Sequence, residues 1–394
     1  MTAYYAATTG SDSNPGTEAS PKRSPGAALA LAVAGDTVHL RAGTYTASTD
    51  RIDSSLHTFP SGTSGSRITL RNYPGETVII RPSGLGGSSR VVALGSKSYL
   101  TFQNLTFDCS DFTADHTGSC VKCDGTSSYL QFLTCEVMGD NGSACSGYLF
   151  TGTGGNHEIT GGSVHHHGTD TSLDHGIYVS VPDCVIDGVD INHNAALGVH
   201  PYDVADAPRT IVRNCLVRNN TYGIGVYNPK MQVYNNVCRN NSVGIIIRYG
   251  AVSSLIYHNT CYGNTTYGVD NDSSTTAATD LRNNILWGNG VRDFHGGFGQ
   301  TPGYAYLTAN IISTYYYLGG SLPSGNLSSD PLFVDAAGAD FRIRQTSPAC
   351  WVGAQVGVAT DYAGKPRTKP SIGAYEPQLN LGRLPLNLRA RRTW

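Results

Sequence analysis

The sequence predicts an all-β protein, a parallel β-helix solenoid with an N-terminal capping helix and an irregular C-terminal segment. The first observation behind this prediction is a set of short β-branched runs that each follow a glycine. A period in the low twenties without helical periodicity is typical of a solenoid in which each repeat forms one coil. The glycines are spaced by 22, 25, 21 and 24 residues and are Gly176, Gly198, Gly223, Gly244 and Gly268.

A second repeat keeps step with the first. Four short runs end in asparagine at spacings of 22, 23 and 25 residues. Asparagine tolerates left-handed backbone geometry, and its side chain bonds to neighbouring backbone groups, so the repeat predicts a stacked turn at one corner of every coil. These asparagines are Asn214, Asn236, Asn259 and Asn284.

Alternation along each strand predicts which side chains lie inside the solenoid. The residue after each repeat glycine is always Ile or Val, and we expect these side chains to line a common core. They are Ile177, Val199, Ile224, Ile245 and Val269.

The same alternation predicts two columns of outward side chains on one face. Adjacent coils lie about 4.8 Å apart, so each column is expected to be continuous. The columns are Tyr178, His200, Gly225, Ile246 and Asp270, and then Ser180, Tyr202, Tyr227, Arg248 and Asp272.

Composition fits one long domain of coils and turns. The 394 residues include 47 glycines, and 14% of them are charged. The formal net charge of −2 gives no indication of a nucleic-acid partner. We expect an N-terminal strand and capping helix in residues 1–45, coils in residues 46–290, a closing segment in residues 291–376 and an extended Arg-rich tail in residues 377–394.

A short helix is predicted from Pro25 to Ala34, because Ser24 is a suitable N-cap and Gly35 follows the last alanine. Such a helix would cover the open end of the core, which a solenoid requires.

Location and partners are predicted from the two ends of the chain. No apolar run is long enough to span a membrane, and no secretion signal is recognisable at Met1-Thr-Ala-Tyr-Tyr5. We therefore expect an extracellular protein whose signal is absent from this sequence, or a virion component. The tail of residues 377–394 is expected to contact a virion protein or the other subunits of a homotrimer.

The cysteines leave free thiols, disulfides and a zinc site open. Cys238 and Cys261 are predicted to share one inward position on adjacent coils, which favours a stack of buried thiols. Cys120-Val-Lys-Cys123 has further cysteines nearby, although no second such pair exists. The further cysteines near this pair are Cys109, Cys135 and Cys145.

His165-His-His167 is expected to form an exposed polar turn.

The N-terminal segment, the coil repeat and the closing Asp330-Pro-Leu-Phe-Val-Asp335 region together resemble the pectate-lyase-like superfamily of right-handed parallel β-helices. The resemblance covers most of the chain and implies right-handed coils. The superfamily includes polysaccharide lyases, glycoside hydrolases, C5-epimerases, phage tailspikes and non-catalytic proteins, so it implies a polysaccharide partner rather than one reaction.

One local resemblance is sharper. Gly198-Val-His-Pro-Tyr-Asp203 is similar to the Gly-aromatic/aliphatic-Asp-Pro-His-Glu/Asp motif of mannuronan C5-epimerases, in which the acid before Pro and the His after it serve the reaction. Here those positions carry His200 and Tyr202, while Asp203 retains the final acid. The resemblance implies two proton-transfer groups at outward positions.

Lyases and epimerases of uronates need a cation beside the carboxylate, a base for the proton on the adjacent carbon, and an acid. We expect His200 or Tyr202 to be base or acid and Tyr178 to be a second proton carrier. Arg248 is expected to pair with the carboxylate. The same face predicts substrate-binding roles for His175, Asp203, Tyr227, Tyr249, Asp270 and Asp272.

Alternatives stay open for the same residues. Outward Tyr and His also suit a surface ladder, and Arg248 suits an ion pair with Asp270 or Asp272. No metal ligand is assigned, although these two aspartates leave calcium as an alternative. A phage tail or capsid-decorating protein and a secreted glycan-binding protein compete with the enzyme hypothesis.

Overall fold

The computed structural model describes residues 1–85, 89–112, 118–142, 145–202, 209–248, 251–271, 279–296, 304–317 and 320–377. The chain forms a right-handed parallel β-helix, which confirms the predicted fold class. Each coil contributes one short strand to each of three parallel sheets, which we call sheets A, B and C in the order in which the chain passes through them.

Sheet A begins with the first strand of the chain. Thr37–Leu40 pairs in parallel with Ala3–Ala6, so the stack starts within residues 1–45 and ahead of the predicted boundary at residue 46. The strands of sheet A are Ala3–Ala6, Thr37–Leu40, Ile68–Asn72, Leu100–Gln103, Gln131–Leu133, Glu158–Thr160, Val185–Asp187, Ile211–Arg213, Gln232–Tyr234, Leu255–Tyr257, Thr279–Arg282 and Tyr304–Thr308.

Sheet B follows sheet A after a tight corner. Most of its strands are three residues long, and from Thr106–Asp108 to Ile285–Trp287 the middle side chain of each points into the core. The strands of sheet B are Gly43–Tyr45, Val78–Ile80, Thr106–Asp108, Glu136–Met138, Ser163–His165, Asp190–Asn192, Leu216–Arg218, Val237–Arg239, Thr260–Tyr262, Ile285–Trp287 and Ile311–Ile312.

Sheet C contains the glycine repeat. Its last strands, Arg292–Gly296 and Tyr315–Tyr317, continue the stack beyond the predicted boundary at residue 290. The other strands of sheet C are Ile52–Asp53, Val92–Gly95, Gly118–Asp124, Cys145–Phe150, Ile177–Val179, Leu197–Pro201, Tyr222–Val226, Val243–Ile247 and Tyr267–Asn271.

The core is the continuous interior of the coils, and the predicted inward column belongs to it. Strand pairing places these residues in register from coil to coil. The residues that are 0% exposed in this column are Ile177, Val199, Ile224, Ile245 and Val269.

Two interior asparagine ladders run along the stack. In each ladder, one amide nitrogen donates to the side-chain oxygen of the next asparagine, which also accepts from a backbone N–H. The corner between sheets A and B holds Asn236, Asn259, Asn284, Asn310 and Asn326, with side-chain distances of 3.0 Å. The corner between sheets B and C holds Asn194, Asn220, Asn241, Asn264 and Asn289.

The prediction that Asn214 begins the first ladder is wrong. Cys215 occupies that position, and its N–H donates to Asn236 Oδ1 at 3.0 Å. Asn214 lies one residue earlier, with a φ of 53°, in the left-handed position that Asn235 takes in the next coil. Left-handed geometry and ladder bonding therefore belong to consecutive residues rather than to one.

The repeat positions must be glycine, because the backbone of the next coil passes too close to leave space for a Cβ atom. A Cβ on Gly223 would lie 2.2 Å from the carbonyl oxygen of Gly244 and 3.3 Å from Asn241 Nδ2. A Cβ on Gly244 would meet the Gly268 oxygen at 2.6 Å. The carbonyl oxygen of the next repeat glycine, together with the ladder amide, thus leaves no room for a side chain at this corner.

The helix at the N-terminus spans Pro25–Leu29 and is capped by Ser24, whose hydroxyl accepts from the Ala27 N–H. Its residues pack over the first coil, as predicted for an end cap. The predicted extension to Ala34 is wrong, because Asp36 Oδ2 accepts from the Val33 N–H and stabilises a turn there instead.

The C-terminal segment covers the outer face of sheet B. Phe333–Asp335 and Asp340–Ile343 form an antiparallel hairpin whose phenylalanines pack on Tyr262. Arg367 is buried, forms an ion pair with Glu376 and donates to the Asn235 side chain at 3.0 Å. The predicted tail of residues 377–394 lies outside the described residues apart from its first residue.

The ten cysteines are buried as free thiols, and Cys238 pairs with Cys261 in register as predicted. The expectation of an exposed turn at His165-His-His167 is wrong for its last residue. His167 is 0% exposed, because it takes the inward position of the corner in which the next coil places Asn194. Within the described ranges, no helix is long and apolar enough to cross a membrane.

Alanine substitutions at two glycines of strand Tyr222–Val226 test whether contact with the next coil's backbone requires glycine. We expect Gly223→Ala to lower the free energy of unfolding by about 3 kcal/mol, since the added methyl group meets backbone atoms that cannot move. Gly225→Ala is the matched control, because its Cβ would meet only the side chains of Leu197, Tyr227 and Pro201 at 3.0–3.4 Å. Urea unfolding followed by circular dichroism measures both variants, and equal losses would contradict the assignment.

Candidate functional site

The outer face of sheet C carries the predicted outward column in register. Tyr178 pairs with His200, and Ile246 pairs with Gly225 on one side and with Asp270 on the other. The column continues to His295 in the next coil. The hydrogen-bonded ladder of parallel strands thus brings side chains about 25 residues apart into contact.

Five aromatic side chains meet on this face and form what we call the sheet C aromatic cluster. The Tyr178 ring lies 5.0 Å from His200 and 5.7 Å from Tyr202. The His200 ring lies 4.2 Å from His175 and 5.4 Å from Tyr227. The cluster therefore contains two imidazoles and three phenols within a few ångströms.

The two imidazoles form a directed hydrogen-bond chain. The Leu197 N–H donates to His175 Nδ1 at 3.3 Å, so the proton of a neutral His175 is on Nε2. His175 Nε2 lies 2.8 Å from His200 Nδ1 and donates to it. His200 therefore carries its own proton on Nε2, on the side of the ring away from His175.

Burial keeps the imidazoles of His175 and His200 uncharged. It lowers the pKa of His200 to about 4, and burial together with the neighbouring His200 lowers the pKa of His175 to about 3. Burial and the neighbouring Tyr202 raise the pKa of Tyr178 to about 12. At neutral pH His175, His200 and Tyr178 are thus uncharged and can donate hydrogen bonds.

The cluster opens to solvent at Tyr202, which is 52% exposed. His175 is only 3% exposed and supports His200 from below, so it does not face a ligand as the sequence predicts. Tyr227 is 7% exposed and packs with Leu197 and Ile246 on the outer face. Only part of the predicted contact surface is therefore accessible.

The predicted cation lies further along the face. Arg248 follows strand Val243–Ile247, one coil beyond Tyr227 and two coils beyond Tyr202. Two coils correspond to about 10 Å between backbones, which a long arginine side chain can partly span. Three other predicted contacts, Asp203, Tyr249 and Asp272, lie outside the described residues.

Asp270 belongs to a second group of side chains. Its Oδ1 lies 2.7 Å from His295 Nδ1, and the His295 ring stacks on Tyr267 at 4.6 Å. Asp270 is 8% exposed, so its carboxylate is committed to this contact. Sequence analysis missed His295, although Phe294 follows Val269 by 25 residues and continues the repeat.

Another cleft, of about 470 Å³, lies between sheet A and residues 356–360. Its charged groups bind one another, since Arg213 Nε donates to Asp187 at 2.8 Å and Arg213 Nη1 donates to Tyr234 at 3.0 Å. Among the described residues that line this cleft there is no histidine. The sheet C aromatic cluster is therefore the better candidate for chemistry.

Comparison with known proteins agrees with the architecture. A family model described as a Pel9A-like, right-handed β-helix region matches residues 4–172, and a right-handed β-helix region model matches residues 184–313. The uncharacterised protein YwoF of Bacillus subtilis (strain 168) is 30% identical over 147 residues, which are 36% of this chain and 30% of that protein. The chain thus spans less than a third of this curated relative.

Solved structures extend the likeness to nearly the whole chain. Pectate lyase Pel9A gives a TM-score of 0.69 at 16% identity, covering 95% of this chain and 96% of that one. A rhamnogalacturonan lyase gives a TM-score of 0.58 at 15% identity, covering 98% of this chain and 97% of that one. XylC in complex with xylose gives a TM-score of 0.57 at 13% identity, covering 95% of this chain and 98% of that one. At these identities the likeness is one of fold.

The neutral histidine chain predicts a pH dependence of stability. The unfolded chain binds protons at histidine below about pH 6.5, whereas folded His175 and His200 stay neutral down to about pH 3 and 4. Their contribution is fully present above pH 6.5 and is lost as the pH falls towards 4. We expect a loss of roughly 2–3 kcal/mol from each histidine between pH 7 and 4.5, or roughly 5 kcal/mol for the pair.

Urea unfolding of wild type, His200→Gln and Tyr202→Phe at several pH values measures this loss. The His200→Gln variant should lose less stability on acidification. The Tyr202→Phe control should follow wild type, because it keeps both imidazoles of the hydrogen-bond chain in place. Parallel curves for all three proteins would contradict the assignment.

Proposed function

We propose that this chain, which belongs to the right-handed parallel β-helix superfamily, acts on an acidic polysaccharide that lies along the outer face of sheet C. The reaction is of lyase or C5-epimerase type. The observation that carries the proposal is the neutral His175–His200 chain within an aromatic cluster that opens to solvent at Tyr202. Buried titratable groups with shifted pKa values that meet at an open face are characteristic of catalytic sites.

A sugar polymer suits the shape of this face. The outward column continues along sheet C past His295 to Tyr316, which is 42% exposed. Exposed tyrosines present flat apolar rings with a polar edge, which suits stacking on pyranose rings. The relatives of known activity with the same fold, pectate lyase Pel9A and rhamnogalacturonan lyase, are named as polysaccharide lyases.

The hydrogen-bond chain assigns His200 a donor role. Its Nε2–H would bond to the uronate carboxylate, whose charge grows as the adjacent carbon loses its proton. His200 does not serve as the base in this arrangement, because its other nitrogen already accepts from His175. His175 is a positioning residue that fixes the ring and tautomer of His200.

The phenols carry the proton transfers. Tyr202 is exposed beside His200; once its phenol has given its own proton to solvent, the resulting phenolate oxygen would accept the proton from the carbon next to the carboxylate. Tyr178 keeps its proton at neutral pH, since its pKa is raised to about 12, and would act as the acid. In a lyase the C–O bond to the leaving sugar breaks, a C=C bond forms, and Tyr178 protonates the leaving oxygen. In an epimerase the carbon is reprotonated on the opposite face.

Arg248 is assigned to the carboxylate of the same or a neighbouring uronate along the polymer. A guanidinium offers two parallel N–H donors, which match a carboxylate. We expect Arg248→Ala to raise KM for a uronate polymer about tenfold or more, with a smaller rise for Arg248→Lys. Steady-state kinetics on a panel of polymers measures this, and an unchanged KM for Arg248→Ala would remove the residue from the site.

Single substitutions test the chemistry. On a polymer that wild type turns over, we expect His200→Ala and Tyr202→Phe each to lower kcat at least 100-fold, which is the usual size of a proton-transfer or charge-stabilising contribution. Tyr306→Phe, at a tyrosine 54% exposed on sheet A, is the control and should keep full activity. Unchanged turnover in the two site variants would overturn the proposed site.

The products distinguish a lyase from an epimerase, and both from a protein that only binds glycans. Ultraviolet absorbance of unsaturated uronate reports a lyase on pectate, alginate and glycosaminoglycans. Deuterium incorporation at C5 in heavy water, without chain cleavage, reports an epimerase. Binding on a glycan array with unchanged polymer would show a glycan-binding protein and would exclude the enzyme.

A further inference from the structure

The interior corner between sheets B and C changes its chemistry along the stack. From Asn194 onward it is filled by the asparagine ladder. His167 takes the preceding ladder position, since its N–H donates to Asn194 Oδ1 at 3.3 Å as the Asn194 N–H donates to Asn220 Oδ1 at 3.0 Å. In the coils before His167, this corner holds cysteine side chains.

Three of these side chains converge on one point. The Cys109 and Cys145 sulfurs lie 3.1 Å apart, and His167 Nδ1 lies 3.8 Å from the first and 4.0 Å from the second. All three residues are at most 1% exposed. Among the described residues, this is the group of His, Cys, Asp or Glu side chains with at least three ligand atoms close enough to share an ion.

The histidine already has the orientation of a ligand. His167 Nε2 lies 3.1 Å from the Val137 carbonyl oxygen and must donate to it. Nδ1 therefore keeps its lone pair, which faces the two sulfurs. Histidines bound to metals typically donate their other N–H to a carbonyl or carboxylate in this way, which fixes tautomer and ring orientation.

Cys120 offers a fourth ligand. It is flanked by Ser119 and Val121, which pair with Ser146 and Tyr148, so it stands opposite Gly147. A cysteine at this corner projects inward, as a Cβ at the equivalent glycines would. Its thiol is completely buried and donates to the Phe107 carbonyl oxygen at 3.4 Å, so its side chain would have to turn towards the other two sulfurs in order to coordinate an ion.

We propose that Cys109, Cys120, Cys145 and His167 bind one Zn²⁺ ion inside the coil stack. Tetrahedral coordination with bonds of about 2.3 Å to sulfur and 2.0–2.1 Å to nitrogen places neighbouring ligand atoms roughly 3.6–3.8 Å apart. The two sulfur–nitrogen distances already lie near this range, and the sulfurs need to separate by about half an ångström. Thiolates with one imidazole form a closed, structural type of zinc site.

The pair Cys238 and Cys261 shows what distinguishes this cluster. These two cysteines are also buried and in register on adjacent coils. They lie at the middle positions of sheet B strands, and the next residue in register is Leu286 rather than a histidine. The zinc site thus lies in the three coils that come directly before the ladder, and it is independent of the proposed polysaccharide activity.

Zinc content of the full chain tests the proposal. We expect about one zinc per chain by mass spectrometry after purification with zinc present and thiols reduced. In the Cys109→Ser/Cys145→Ser variant and in the His167→Asn variant, the zinc content per chain should fall at least tenfold. His167→Asn is designed to fold, because asparagine extends the neighbouring ladder. The control Cys238→Ser/Cys261→Ser should keep one zinc.

A second measurement uses wild type alone. Added Co²⁺ in place of Zn²⁺ should give thiolate-to-cobalt charge-transfer bands and the visible bands of tetrahedral cobalt, and a chelator should lower the unfolding midpoint of wild type but not of His167→Asn. Absence of both zinc and cobalt bands in folded wild type would overturn the proposal. A Cys109–Cys145 disulfide found by non-reducing peptide mapping of the folded protein would overturn it as well.

Discussion

Hydrogen bonds between asparagine amides of successive coils run through the stack and tie each coil to the next at two corners. An asparagine inside a ladder, such as Asn241, accepts from a backbone N–H and a side-chain amide and donates to a carbonyl oxygen and to the next asparagine. These groups are buried, so each missing partner would cost about 1–3 kcal/mol. The ladders therefore fix the register of the coils as well as their spacing, and the repeat glycines follow from the space that the amides occupy.

The candidate site depends on this register. His175 and His200 are separated by 25 residues, yet they meet at 2.8 Å because adjacent strands of sheet C cannot slip. A slip of one residue would move the imidazoles to opposite faces. The rigid sheet thus preorganises a hydrogen-bond chain whose direction is set by a single backbone N–H, that of Leu197.

The three faces of the solenoid differ in what covers them. Sheet B is covered by the C-terminal hairpin and by the segment that Arg367 anchors to Asn235. Sheet A meets the same segment at a cleft whose charges are paired internally. Sheet C keeps exposed tyrosines along its outer face. The polymer-binding surface that we propose is therefore the face with accessible aromatic side chains and neutral donors.

The sequence by itself determined the coil repeat, the inward column from Ile177 to Val269 and the outward positions of Tyr178 and His200. These follow from alternation within single strands, which is a local property. Only the tertiary structure decided that Cys215 replaces Asn214 in the ladder, that His175 lies beneath His200, and that His167 faces two cysteines. Each of these depends on which residues of different coils lie side by side. That register is set by turn lengths and buried hydrogen bonds between coils, which no pattern within one strand encodes.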